Sequence, residues 1–287
     1  MRFKICAIFC LVGSMVAAAA AADSNNVCPD SENYQQAHRF SGYVVRIVPG
    51  VRPRGKQRFE FRCVATTTPP GGVRKIIGQA WTMSVDPISG NDVNGGGKHD
   101  AVFDGHTSGA KCCYEYWIAS LSTPPRLIRE IRTAAPASFQ KDSEGVVEIR
   151  IPDAAFQFFM LPPDQAVTPL VILRLEGNTL VDVSPQHPQE YDEQISKARS
   201  ELTPDQLQRF RQSRYNDKLF IDQLPAVKGV LTIVLNYLYS GREEQAWQAL
   251  KEMWPESDQA RVKATILERR QRGIDSQLSA VTRKPGS

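Results

Sequence analysis

Near Pro188 the hydrophobic pattern of this chain changes period, and that change limits the fold more than any other feature. Before it, from Phe40 to about Ser184, short runs rich in Val, Ile, Phe, Tyr and Trp are broken at Pro69-Pro70-Gly71-Gly72, Gly95-Gly96-Gly97, Pro124-Pro125 and Pro162-Pro163. Breakers at that spacing mark short strands joined by tight turns. The pattern predicts strands over residues 43–48, 58–65, 75–83, 114–121, 146–151 and 170–176, in antiparallel arrangement. Beyond Pro188 the spacing turns helical. Thr203-Pro204-Asp205-Gln206 opens a helix, with Thr as N-cap, Pro in the first position and Gln in the third. Further helices are predicted over 225–239, 242–254 and 256–272, with Gly241 and Gly273 as stops. Val262, Ile266 and Leu267 should line the buried face of the last one. Arg269, Arg270 and Arg272 should form its solvated last turn, where cations suit the helix dipole.

The fold class expected is therefore α+β, an N-terminal antiparallel β domain followed by a C-terminal helical bundle. The boundaries read as a β-rich domain over 23–185, a helical domain over 186–275 and a disordered tail over 276–287.

Residues 1–22 read as a secretory signal. Arg2 and Lys4 begin it, an apolar stretch follows, and five alanines, Ala18 to Ala22, offer a cleavage site after Ala22. The best later apolar stretch, 227–239, includes Lys228 and Asn236 and is shorter than the roughly 20 residues of a membrane span. The mature chain is expected in the periplasm or outside the cell. Without the signal it carries 33 basic residues (35 less Arg2 and Lys4) against 31 acidic ones. So even a balance gives no electrostatic footprint for nucleic acid and no general attraction to an anionic membrane.

Four cysteines remain, Cys28, Cys63, Cys112 and Cys113. An oxidising compartment favours disulfides, and neighbours on a strand point to opposite faces. Cys28 and Cys63 are thus expected to pair with Cys112 and Cys113 in an order left open, the alternative being a bond between the two neighbours. His99 and His106 with these cysteines match no zinc spacing.

Two loops suggest ion sites. In Asp92-Val93-Asn94-Gly95-Gly96-Gly97-Lys98-His99-Asp100, the residues Asp92, Asn94, Gly97 and Asp100 fit positions 1, 3, 6 and 9 of a calcium loop. The frame recurs 48 residues on, where Asp142, Glu144, Gly145 and Glu148 fit and Gln140 replaces the first acid. The candidate calcium ligands are Asp92, Asn94, Asp100, Asp142, Glu144 and Glu148. The segment from Gly97 through Cys112-Cys113-Tyr114, with Thr168-Pro169-Leu170-Val171-Ile172-Leu173-Arg174-Leu175, resembles exported bacterial proteins with degenerate FG-GAP (VCBS-type) repeats. Over about residues 75 to 185, that resemblance implies a β domain of partial propeller blades with calcium loops on the blade edges.

Tyr237, Gly241, Ala246 and Leu250 fall at the spacing of a tetratricopeptide helix hairpin. Tyr237, Trp247 and Trp254 are its candidate partner-binding residues, for an envelope protein or peptide. No phosphate loop, dinucleotide fingerprint or His-Glu-x-x-His motif occurs in the sequence. Two functions follow: a non-catalytic binding or assembly protein of the bacterial envelope, or a hydrolase of an envelope polymer or small substrate using Asp92, Asp100 or Asp104.

Overall fold

The computed structural model describes residues 36–50, 63–106, 113–213 and 223–278. Twelve strands form three antiparallel sheets of four, each a simple meander. The first holds β1 (Gln36–Phe40), β2 (Tyr43–Pro49), β3 (Cys63–Thr68) and β4 (Lys75–Ala80). The second holds β5 (Thr82–Val85), β6 (Asp100–His106), β7 (Tyr114–Ser120) and β8 (Arg126–Thr133). The third holds β9 (Ser138–Lys141), β10 (Val147–Pro152), β11 (Leu170–Glu176) and β12 (Thr179–Asp182). Six helices follow: α1 (Pro188–Glu201), α2 (Pro204–Arg211), α3 (Leu224–Tyr239), α4 (Glu243–Met253), α5 (Gln259–Arg272) and α6 (Ile274–Leu278). The α+β class, with sheets first and helices last, is the one the change of period predicts. Thr203 and Gln206 make the expected reciprocal cap at the start of α2.

Side chains alternate across a strand, so the register assigns faces. On the second sheet Ala101, Phe103, Trp117 and Ala119 point one way, into a core shared with Val45, Ile47, Ala65 and Ile77 of the first sheet. Val102, Tyr116, Ile118 and Ile131 point the other way, into a core with Phe139, Ile149, Ile151, Val171 and Leu173 of the third. The three sheets are stacked layers, and the middle one is buried on both faces. The second core runs on into the helices through Tyr191, Ile195, Val234, Leu238, Leu250 and Ile266. The β-rich and helical parts thus share one core.

Trp117 locks the first interface. Its indole lies against Gly78 of β4 and Gly105 of β6, where an added Cβ would come within 2.5 Å of the ring in both cases. Glycine is required at both positions for close approach rather than for backbone conformation.

Several local expectations are corrected. The single strand over 75–83 is two, divided at Trp81 and placed in different sheets, with Trp81 N–H bonded to the His106 carbonyl at 3.0 Å. Residues 100–106, not among the predicted strands, form β6 in the middle layer. Leu267 is 38% exposed, while Val262 and Ile266 are fully buried. Arg269 and Arg270 are not free in solvent. Arg269 donates to the Ala155 carbonyl at 2.6 Å and lies over the Phe159 ring, and Arg270 lies over Tyr239. The last turn of α6, Ser276 to Leu278, occupies the first residues of the expected tail. Residues 58–62, the signal segment, Cys28, Cys112 and residues 279–287 lie outside the described residues.

A Cβ at either glycine must displace the ring or the strand, and overpacking of this kind costs about 1–3 kcal/mol. Gly105→Ala and Gly78→Ala are each expected to lower the unfolding free energy by that amount, read as a lower urea midpoint at unchanged m, with loss of near-ultraviolet signal from Trp117.

Candidate functional site

The hairpin turns place the sequence-predicted loops at one end of the stack. The first and third turns of each meander point the same way: Tyr43 at the β1–β2 turn meets Thr123 at 2.9 Å, and Gly177 N–H donates to the Asn94 carbonyl at 2.8 Å. Residues 92–100 and 142–146 therefore lie at the same end.

In the first loop the acids close the backbone on itself. Asp92 accepts from Gly96 N–H at 3.0 Å and Gly97 N–H at 2.7 Å, and Asn94 Oδ1 accepts from Gly96 N–H at 2.8 Å. Gly95 and Gly97 take φ of +69° and +72°, the left-handed region glycine enters without strain. Asp100 is fully buried at the start of β6, and its Oδ2 accepts from Val93 N–H at 2.9 Å and Asn94 N–H at 3.1 Å. Burial pushes its carboxyl up to about 6 against the pull of those two N–H groups, and the Asp92 charge adds to the rise.

In the second loop Asp142 accepts from Glu144 N–H at 2.8 Å and Val146 N–H at 2.9 Å, and its other oxygen meets Arg174 at 2.6 Å. Asp92 and Asp142 thus do the same work, each holding an N–H four residues ahead. They are 50 residues apart (142 less 92), so the 48-residue frame does not align the acids by role. Glu148 is also corrected. It is 2% exposed and lies outside the loop, in an ionic network with Arg174 at 3.2 Å, Arg150 at 3.4 Å and His187 Nε2 at 2.8 Å. Arg150 continues the network to Glu190 at the start of α1. Among the described residues no three His, Cys, Asp or Glu side chains are grouped to hold a metal ion.

Asp104 lies elsewhere. It is opposite Ser84 of β5 and Tyr116 of β7, and Asp86 N–H bonds the Val102 carbonyl two residues along. Asp86 and Asp104 therefore share one face of the second sheet. Burial, aided by the Asp86 charge, pushes Asp104 up to about 6, and burial raises Asp86 as well. The same burial, with the Asp104 charge, raises the Tyr116 phenol, whose hydroxyl accepts from Ala137 N–H at 2.7 Å.

Cys63 and Cys113 are both disulfide-bonded. Cys63 opens β3 and Cys113 directly precedes β7, both at the end of the stack away from the two loops.

The buried carboxylate that sequence reading missed is Asp153, 5% exposed after β10. It accepts from Tyr239 OH at 2.6 Å, Ala155 N–H at 3.0 Å and Ile274 N–H at 3.2 Å, joining the third sheet to α3 and α6. A Cβ on Gly273 would fall 2.5 Å from its oxygens. Burial and this carboxylate raise the Tyr239 phenol.

On the helical face, α1, α3 and α4 line an open groove of about 460 Å³. Tyr237 and Ala249 lie in it with Arg199, Glu244, Gln248 and Glu252. Glu244, Gln248 and Glu252 recur every four residues on α4, a stripe visible in the sequence and not read there as a binding face. The Arg242 guanidinium lies 4.9 Å from the Tyr237 ring centre. The other two predicted contact residues are engaged internally. Trp254 is 1% exposed, stacks edge-on against Phe210 and donates to Asp258 at 3.0 Å. Trp247 donates to Glu243 at 2.8 Å and lies beneath Lys263 of α5 at 4.5 Å.

No protein family, curated protein or solved structure matches this chain.

Two measurements test these assignments. An acid whose folded pKa lies above its unfolded value of about 3.9 binds more protons in the folded state, so stability falls as pH rises between the two values. The wild type should lose about 2 kcal/mol from Asp100 between pH 4 and pH 7. Asp100→Asn should remove most of that slope in urea unfolding followed against pH. Tyr239→Phe takes one donor from buried Asp153 and is expected to cost about 1–3 kcal/mol in the same assay.

Proposed function

We propose that this chain is an exported, non-catalytic binding protein of the bacterial envelope whose helical layer takes a peptide segment of a partner protein. The observation that carries this reading is the groove at Tyr237. It is open, it is lined by Tyr237, and it sets Glu244 and Glu252 beside Arg199, while Arg242, over the Tyr237 ring, is already paired with Asp192. Aromatic residues flanked by charge are the usual anchors of peptide recognition. Two carboxylates to one guanidinium favour a segment carrying Lys or Arg. The secretory signal supports export, and three successive four-stranded meanders are compatible with the FG-GAP-like repeats that the sequence resembles.

The test is fluorescence anisotropy of the oxidised protein with sets of basic, neutral and acidic peptides. Basic peptides should bind best. Tyr237→Ala should weaken them by about tenfold or more, since loss of such an anchor costs over 1 kcal/mol. Glu244→Lys with Glu252→Lys should abolish the preference for basic peptides without lowering the melting temperature by much, since both side chains are exposed. Binding that survives both, or no binding by the wild type, would reject the groove.

The hydrolase reading keeps one supporting observation, the Asp86 and Asp104 pair with Asp104 raised to about 6, a value that suits a general acid. It predicts polymer hydrolysis that falls as pH rises through that value and is lost in Asp104→Asn.

A further inference from the structure

The outermost sheet ends in a turn unlike the rest of the described surface. From Pro70 to Ile76 every residue is exposed. Val73 is 86% exposed and Ile76 57%, two branched aliphatic side chains held in water. Arg74 and Lys75 stand between them, and neither side chain has an ionic partner among the described residues. The turn is preformed. Gly72 N–H bonds the Pro69 carbonyl at 3.1 Å, Gly71 takes φ of +63°, and the Pro69-Pro70 pair limits the chain on the approach. Pro70 packs beside Gly42 in the neighbouring β1–β2 turn, where an added Cβ would lie 3.1 Å from its ring. A rigid tip loses little freedom when it docks.

Two aliphatics on a convex tip cover far less than the ~800 Å² per partner of a stable protein interface. A lipid surface accepts such a wedge, because aliphatic groups enter the acyl boundary while long cationic side chains stay with the phosphates. The acids at the same end of the molecule belong to the other two sheets: Asp92, both of whose oxygens accept backbone N–H groups, to the second, and Asp142 and Glu144 to the third. An anionic surface would thus be approached first-sheet side down.

We propose that the β3–β4 tip docks on the surface of an anionic phospholipid bilayer, Val73 and Ile76 entering it and Arg74 and Lys75 meeting the lipid phosphates. This is independent of the peptide groove, which lies on the helical layer.

The experiment is co-sedimentation of the oxidised full chain with vesicles of phosphatidylcholine alone or mixed with phosphatidylglycerol. Wild type should bind the mixed vesicles, more weakly at high salt, and leave the neutral ones in solution. Val73→Ser with Ile76→Ser, and separately Arg74→Gln with Lys75→Gln, should each weaken binding by about tenfold, with unchanged melting temperature because all four side chains are exposed. Val73→Trp should show blue-shifted emission quenched by brominated lipid. No binding by the wild type, equal binding to both vesicles, full binding by either double variant, or an unquenched Trp at 73 would each overturn the proposal.

Discussion

The fold depends on a middle sheet with two apolar faces. An antiparallel sheet usually sets one face in water, and its strands then alternate apolar with polar residues. In β6 the run from Asp100 to Phe103 is buried throughout, and in β7 so is the run from Tyr116 to Ser120. Such a sheet is stable only if covered on both sides, so the first sheet must lie on one face and the third on the other. Trp117 sets the distance on one side by lying against two glycines. Tyr116 sets it on the other, where its ring meets Phe139 at 5.6 Å and its hydroxyl holds Ala137.

The same logic joins the helices to the sheets. The third sheet has an apolar face for the second sheet, and Glu148, Arg150 and Arg174 on its other face. Charges there could have faced water, but α1 and the turn before it cover them, and the network is neutralised from several elements. A buried ion pair contributes little net stability, and removing one partner costs much more. Such a network therefore fixes where α1 sits more than it strengthens the fold. Asp153 does the same for α3 and α6. One carboxylate accepts a phenol from one and a backbone N–H from the other, so moving either helix leaves a buried charge short of donors. Arg129, 3% exposed on β8, adds a third tie by donating to the Gln277 carbonyl at the end of α6. Burial lowers its pKa, the cost of placing a cation there. These contacts leave no place for a hinge between residues 185 and 186, although composition and period change at that point.

What could be read from the sequence follows from which forces are local. Turn glycines, the Thr203 cap and the Gly241 stop act within a few residues, and they stand where the pattern puts them. β6 was illegible because Asp100, Asp104, Gly105 and His106 all have weak strand propensity. Its extended form is imposed by β5 and β7, which lie far along the chain on either side. Asp92 and Asp142 were rightly singled out as loop acids, but their partners are backbone N–H groups, and side-chain spacing carries no information on those. Trp254 suggested a contact surface by its size. It is four residues after Leu250 and eight after Ala246, which puts it on the buried stripe of the same helix face. Tyr237 differs from it, since it lies on the less buried side of α3, where its ring lines the groove and meets Arg242.

Ends of the stack differ in chemistry, and that difference bears on what the protein can do. One end holds Cys63 and Cys113, both bonded. The other holds the 86–99 loop and the hairpin turns, where acids and glycines close tight loops and the β3–β4 tip stands in water. The β3–β4 tip can carry exposed aliphatics and cations at little cost to the fold, because loss of its exposed side chains removes no core contact. The acids buried between the layers have no such freedom. Asp100 and Asp153 hold N–H groups, and Glu148 holds the Arg150 and Arg174 guanidinium groups and meets His187, so each already has a structural duty. Among the described residues, the Tyr237 groove and the Val73 tip combine accessible apolar area with charge and carry none of these duties.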